Sequence, residues 1–92
     1  MRDRINREVT NGDPILYATG RYLSIGIVYQ FRTTEGDWTH EEMRVLSLEM
    51  HSTGRPGGWM RYLNGRTFIL NELDLDTDQR ESFHRLKTEF NL

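Results

Sequence analysis

Apolar residues recur at every second position through much of the first 70 residues. Between Leu23 and Phe31 the odd positions are all apolar, whereas most even positions are small or polar. A period of two is typical of a β-strand with one buried face. We therefore expect a long strand whose core-facing residues are Leu23, Ile25, Ile27, Tyr29 and Phe31.

Shorter segments with the same alternation flank this strand. Residues 15–19 are one candidate, residues 5–9 are a short strand or an extended arm, and every second residue from Arg44 to Met50 shares a face. Turns separate these segments, with turn residues at 11–14, 34–37 and in the Gly-rich run 52–58. Strands joined by such short connections pair antiparallel, because a parallel pair needs a long crossover.

The dipeptide Asn64-Gly65 is the strongest hairpin signal in the chain. Both residues tolerate the positive φ angles of a type I′ turn. The apolar segments 59–63 and 66–70 flank it. This pattern predicts a compact hairpin with one strand on each side of the turn.

The period changes to that of a helix after Leu70. Phe83, Leu86 and Phe90 follow at spacings of three and four, which places them on one helical stripe. Asp76, Thr77 and Asp78 are candidate N-caps, and the pairs Asp76/Gln79 and Asp78/Glu81 both have capping-box spacing. We predict a helix over about residues 77–90, packed on the apolar face of the sheet. The fold class is then α+β: one domain over residues 1–92, with an antiparallel four- to five-stranded meander and one C-terminal helix.

Composition excludes several function classes. The 92 residues carry 12 Lys and Arg against 14 Asp and Glu, a net charge of −2, which argues against a uniformly basic nucleic-acid coat and against an acidic nucleic-acid mimic. The chain has no cysteine, hence no disulfide, zinc–thiolate site or thiol nucleophile. The charged first residues do not resemble a signal peptide, and no apolar run reaches the roughly 20 residues of a membrane span. We expect a cytoplasmic protein with no membrane partner.

Two groups of residues could bind a metal, and the sequence disfavours both. Asp74, Asp76 and Asp78 resemble the start of an EF-hand loop, but its glycine and final glutamate positions hold Gln79 and Arg85. The second group is His40, Glu41, Glu42 and His51. A metal site needs three or four converging ligands, and the spacing of these residues gives no further evidence for one. No serine lies in a nucleophile elbow, and the glycines do not form a phosphate-binding loop. We expect a protein that is not an enzyme and needs no cofactor or metal.

Arginine and aromatic residues occur together in one stretch of the chain that contains no acidic residue. Of the 12 cationic residues 11 are Arg, and residues 51–70 contain three of them with no acid. Such a segment can hold a nucleic-acid strand, can be a hot spot for a protein partner, or can be a core hairpin with exposed arginines; genomic base composition can also produce an arginine bias. The predicted partner-binding residues are Arg55, Trp59, Arg61, Tyr62 and Arg66, with the arm residues Arg2, Arg4 and Arg7 as a second basic group.

The chain as a whole resembles the small phage-encoded inhibitors known as anti-CRISPR proteins. The resemblance lies in its size, its meander-plus-helix pattern, and the segments ATGRYLSIGIVYQ (18–30) and SLEMHSTGRPGGW (47–59). It implies a non-catalytic inhibitor that docks on a bacterial CRISPR effector ribonucleoprotein, with direct contact to guide RNA as one option, and blocks target DNA in the cytoplasm of an infected host. The alternative is a small RNA- or DNA-binding regulatory protein that uses the basic–aromatic hairpin.

Overall fold

A five-stranded antiparallel sheet forms the centre of the protein. The computed structural model describes residues 1–36, 38–49 and 53–92. Four residues with sequence-based assignments lie outside this description: Asp37 and Ser52 in predicted turns, Met50 in a predicted strand, and the metal candidate His51. The strands are β1 (Pro14–Thr19), β2 (Tyr22–Thr34), β3 (His40–Ser47), β4 (Met60–Arg61) and β5 (Thr67–Ile69), in the spatial order β4-β3-β2-β1-β5. The predicted α+β class is confirmed.

Helix α1 (Thr77–Glu89) begins as its capping residues predict. The Asp76 carboxylate accepts from the Gln79 backbone N–H, and the Gln79 side chain accepts from the Asp76 N–H. This reciprocal pair satisfies two N–H groups at the helix start. The same arrangement occurs just upstream between Asn71 and Asp74, at a one-turn 3₁₀ helix over Glu72–Asp74. Within the described residues, no helix has both the length and the apolar character needed to cross a bilayer.

The helix covers one end of one sheet face. Its buried residues Phe83 and Leu86 join a core cluster with Ile27, and Ile25 and Tyr29 pack at the margin, as predicted. The Phe90 and Tyr29 rings meet edge to face, with centroids 5.5 Å apart. Leu23, which the alternation placed in this core, is 69% exposed because it lies near the β1–β2 turn, beyond the helix.

A β-bulge at Tyr29 changes which residues of β2 share a face. Val28 pairs with Val45 and Gln30 pairs with Arg44, so one extra residue lies in β2 between these two pairs. Beyond the bulge, Phe31 joins the core cluster on the opposite face of the sheet. The prediction that Phe31 lies against the helix is therefore wrong, because an uninterrupted period of two does not hold across a bulge.

The opposite face of the sheet has its own apolar core. Ile15, Val28, Val45 and Tyr62 are buried there. Residues 62–66 connect β4 and β5, which lie at opposite edges of the sheet. The predicted hairpin is therefore wrong: Asn64–Arg66 forms a 3₁₀ turn, and its flanking strands pair with β3 and β1 instead of with each other. Long-range strand pairing has overridden the local turn preference.

The N-terminal arm covers the outer edge of β5. The Asp3 carboxylate accepts hydrogen bonds from the backbone N–H of Ile69, from that of Arg7 and from that of Ile5. The Arg4 N–H donates to the Thr67 carbonyl at 2.8 Å. These contacts occupy backbone groups that an edge strand otherwise leaves open to a second chain.

Candidate binding face

The sheet face that carries α1 is open at its other end, and there it presents arginine and tryptophan side chains. We call this surface the Arg–Trp face; its members are Gln30, Arg32, Trp38, Glu42, Arg44, Trp59 and Arg61. Arg32, Glu42 and Arg61 are register partners across β2, β3 and β4, so they form one row. Gln30 and Arg44 form the next row toward the helix. Three neighbouring strands thus contribute to one surface.

Arg32 and Trp59 form the closest cation–ring contact of this face. The Arg32 guanidinium carbon lies 4.1 Å from the centre of the Trp59 ring. Its Nε donates to the Glu42 carboxylate at 2.9 Å. The Glu42 carboxylate also accepts a hydrogen bond from the Thr34 hydroxyl. Arg32 is therefore held on both sides, and a positioned guanidinium lies against an indole that is partly exposed.

Arg44 connects the Arg–Trp face to the helix-covered core. Its Nε donates to the Gly57 carbonyl at 2.8 Å, and its Nη1 donates to the Gln30 side-chain oxygen at 3.3 Å. The guanidinium lies 5.4 Å from the Tyr29 ring centre and 5.8 Å from that of Trp59. Both hydrogen-bond acceptors are neutral, so these bonds position Arg44 without neutralising its charge.

Arg61 and Trp38 form the outermost part of the face. The Arg61 guanidinium lies 5.4 Å from the Trp38 ring centre, and Trp38 is 70% exposed. Trp38 lies just beyond β2, in the connection to β3. The pair has the geometry of a cation–π contact with most of the indole open to solvent.

Glu42 is the one carboxylate in the rows of this face, and it remains ionised near neutral pH. The Thr34 hydroxyl and then Arg32 donate to it, and together they outweigh the effect of burial, so the pKa of Glu42 lies below its ordinary value. Among the residues that the structure describes, the members of the Arg–Trp face therefore carry three guanidinium groups against one carboxylate, on a chain whose net charge is −2.

The structure divides the residues predicted from the 51–70 segment among different surfaces. Trp59 and Arg61 lie on the Arg–Trp face. Arg55 is exposed beside a depression on the opposite side of the sheet, and Arg66 is exposed in the 3₁₀ turn. Tyr62 is 7% exposed, with its hydroxyl donating to the Arg2 carbonyl. The segment does not form one surface, because it passes around the β4 edge of the sheet.

The three arginines of the arm are exposed and make contacts within the protein. Arg2 lies 3.2 Å from the Glu8 carboxylate, and Arg4 donates to the Gly65 carbonyl at 3.0 Å. Arg7 pairs with Asp3 at 2.8 Å and donates to the Ile69 carbonyl at 2.7 Å. Arg4 and Arg7 thus attach the arm to the 3₁₀ turn and to β5, whereas Arg2 pairs within the arm.

Among the arginines and tryptophans of the face, sequence reasoning did not select Arg32, Arg44 or Trp38. Arg32 and Arg44 lie in strands whose apolar alternation indicates only a core, and Trp38 follows a predicted turn that is rich in acids. One signal was present: Trp38 and Trp59 are the two tryptophans of the chain, and each lies next to a strand that carries an arginine.

Comparison with models of known protein families, with curated proteins and with solved structures finds no match to this chain.

Proposed function

We propose that this protein is a non-catalytic binding protein that docks on a nucleic-acid–protein complex through its Arg–Trp face. The observation that carries the proposal is the placement of three arginines and both tryptophans on one open end of the sheet. Arginine and tryptophan are the residue types most enriched where partners bind, and arginine is also the main residue for phosphate recognition.

The chemistry of this face supports binding more than it supports catalysis. A guanidinium stays protonated at physiological pH, and an indole offers only an N–H donor and a ring face. Glu42 has a lowered pKa and two hydrogen-bond donors, which makes it a weak general base. These groups are equipped to hold an anion and to stack on a planar group.

The resemblance to anti-CRISPR proteins provides the first partner to test. We infer that the protein binds a bacterial CRISPR effector already loaded with guide RNA and prevents target DNA from binding. The second candidate is a regulatory protein that binds RNA or DNA without a protein partner. The high proportion of charged residues on the Arg–Trp face supports this second candidate, because the cores of protein interfaces are depleted in charged residues.

The test measures target DNA binding by purified effector–guide complexes of several types with increasing amounts of this protein. The site variant is Trp38→Ala with Arg61→Ala, because Trp38 is 70% exposed and Arg61 contacts its ring. The matched control is Arg21→Ala with Tyr22→Ala, at the β1–β2 turn, where Tyr22 is 76% exposed. Each variant loses one arginine and one exposed ring, and the two sites lie at opposite ends of the 13-residue strand β2.

We expect wild type and the control variant to block DNA binding at similar concentrations. The site variant should require at least about tenfold more protein, since losing a hot-spot pair costs about 1.4 kcal/mol or more. If no effector–guide complex is bound or inhibited, the proposed partner is wrong. Equal losses in the site and control variants would instead reject the Arg–Trp face as the docking surface.

A further inference from the structure

We infer that the Arg–Trp face binds single-stranded nucleic acid directly, with a base stacked on Trp38 and the backbone phosphates near Arg61 and Arg44. This inference deepens the proposed function, on which it rests, by naming the component of the partner complex that the face contacts. Single-stranded nucleic acid alternates planar bases with anionic phosphates, which are the two groups that exposed indole rings and guanidiniums recognise.

The composition of the face favours a polyanion over a protein. Six large apolar side chains are exposed among the described residues; of these, Trp38 is a member of the Arg–Trp face and is 70% exposed, and Leu63, two residues after Arg61, is 41% exposed. The face carries three guanidiniums, whereas the centre of a protein interface is typically depleted in charge. The face combines cations and ring faces on a sheet surface, as in sheet-based modules that stack bases of single-stranded RNA.

Two of the three guanidiniums have charge available for a phosphate. Among the described residues, neither Arg44 nor Arg61 has a carboxylate within 4.0 Å, whereas Arg32 is paired with Glu42. Arg44 is held by neutral oxygens of Gly57 and Gln30, so its position is set before a ligand arrives. A positioned guanidinium loses less side-chain freedom on binding, which favours affinity.

Trp38 is the residue best placed to stack on a base. This residue is 70% exposed, and the nearby Arg61 guanidinium lies 5.4 Å from its ring centre. Trp59, in contrast, is half-buried and already in contact with Arg32. A base on Trp38 would place its own phosphate near Arg61, so stacking and charge contact reinforce each other.

Intrinsic fluorescence measures this binding directly, because both tryptophans of the chain belong to the face. The probes are a single-stranded RNA 12-mer, single-stranded DNA of the same sequence, and the corresponding DNA duplex. We expect quenching by the single strands and much weaker quenching by the duplex, where base faces are hidden in the stack. The RNA and DNA arms show whether the 2′-hydroxyl contributes to recognition.

The salt dependence of the affinity and the effects of single substitutions then distinguish the contribution of base stacking from that of phosphate contacts. With two phosphates neutralised, the affinity for a single strand should fall about sevenfold between 50 and 200 mM salt, from a log–log slope of roughly −1.4. Arg61→Gln should reduce that slope by about half. Trp38→Ala should weaken binding about tenfold or more at constant salt, measured by anisotropy of a labelled strand. Tyr22→Ala, the control, should bind as wild type does.

Each result decides a separate point. The inference fails if the single strands do not bind, if the duplex binds equally well, or if Trp38→Ala and Tyr22→Ala have the same affinity. If Trp38→Ala does not fold, Trp38→Leu and Arg61→Gln provide the same comparison. Blocking of an effector–guide complex through this face without affinity for free strands would overturn the inference and leave the proposed function standing. Binding of free single strands without binding of an effector–guide complex would support the inference and overturn the proposed docking on an effector.

Discussion

The guanidinium carbon of Arg32 lies 4.1 Å from the ring centre of Trp59, although the two residues are far apart in the sequence. Arg32 is in β2, and Trp59 immediately precedes β4, so strand β3 lies between their strands. The contact therefore depends on the pairing of three strands. The contact also places a cation and an aromatic ring on the part of this sheet face that α1 leaves uncovered.

Replacing Arg32 should weaken the sheet by a small amount. Arg32→Met keeps an unbranched stem and removes both the Trp59 contact and the ion pair with Glu42, for an expected loss of about 0.5–2 kcal/mol. Urea unfolding followed by tryptophan fluorescence measures this loss. Arg21→Met at the β1–β2 turn is the control and should leave stability unchanged. Equal stability of both variants and wild type would show that the Arg32 contacts do not stabilise the fold.

Removing Phe83 should unfold the protein or nearly do so. Its side chain is 4% exposed beneath α1, and truncating a buried aromatic costs about 3–5 kcal/mol. Leu23→Ala should change the free energy of unfolding by less than about 0.5 kcal/mol, because Leu23 is 69% exposed. Thermal denaturation of the two variants tests the placement of the helix. A larger loss for Leu23→Ala than for Phe83→Ala would contradict it.

Acid should release the N-terminal arm. Burial opposes ionisation of Asp3, but hydrogen bonds from Ile69, Arg7 and Ile5 outweigh it and lower the pKa of Asp3 from 3.8 to about 2. Because the folded pKa lies below the ordinary one, the stabilisation is complete above about pH 4 and is lost as pH falls toward 2.

Asp3→Asn is the variant that isolates this contribution. At neutral pH it should be about 1–3 kcal/mol less stable, because the amide cannot accept all of the same hydrogen bonds. Its stability should then change less than that of wild type between pH 4 and pH 2. Unfolding midpoints measured across this range provide the comparison. Parallel pH profiles for the two proteins would rule out Asp3 as the group responsible.

A side chain at position 26 should strain the sheet. A Cβ atom on Gly26 would lie 2.3 Å from Val45 Cγ1 and 2.8 Å from the Leu46 carbonyl oxygen. Gly26→Ala should therefore cost about 1–3 kcal/mol through overpacking. In a Val45→Ala background the cost should be smaller, since one of the two clashes is removed. A double-mutant cycle by chemical denaturation measures this difference, and strict additivity would contradict the close approach.

Alkali should destabilise the protein through Tyr62. Burial, followed by the negative charges of Asp3, Glu41 and Glu8, raises the pKa of Tyr62 from 10.0 to about 12. The folded state retains this proton when the unfolded state has lost it, so stability falls as pH rises from 10 toward 12. Tyr62→Phe should show a smaller alkaline loss, measured by denaturation at pH 9, 10 and 11. An equal loss in both proteins would mean that other groups cause it.

Local sequence patterns were sufficient to predict the elements whose interactions lie close together in the chain. The helix begins where Asp76 and Gln79 cap it, and its stripe of Phe83, Leu86 and Phe90 packs on the sheet. Strand β2 follows from its own alternation, and the antiparallel arrangement of β1, β2 and β3 follows from short connections. These features depend on backbone capping and side-chain alternation, which a single segment contains.

The tertiary structure decided which strands pair and which side chains share a face. Asn64-Gly65 favours a hairpin, but the separate pairing of β4 with β3 and of β5 with β1 outweighs one turn's preference. The bulge at Tyr29 arises from the register between β2 and β3, and beyond it Phe31 points into the second core.

Prediction of the candidate binding face from the sequence was limited in the same way. The sequence alone selected Trp59 and Arg61, because aromatic and basic residues alternate in their segment. It could not select Arg32, Arg44 or Trp38, whose common surface exists only once β2, β3 and β4 are side by side. Hydrogen bonding across strands joins residues that are remote along the chain, and no pattern within one segment encodes that proximity.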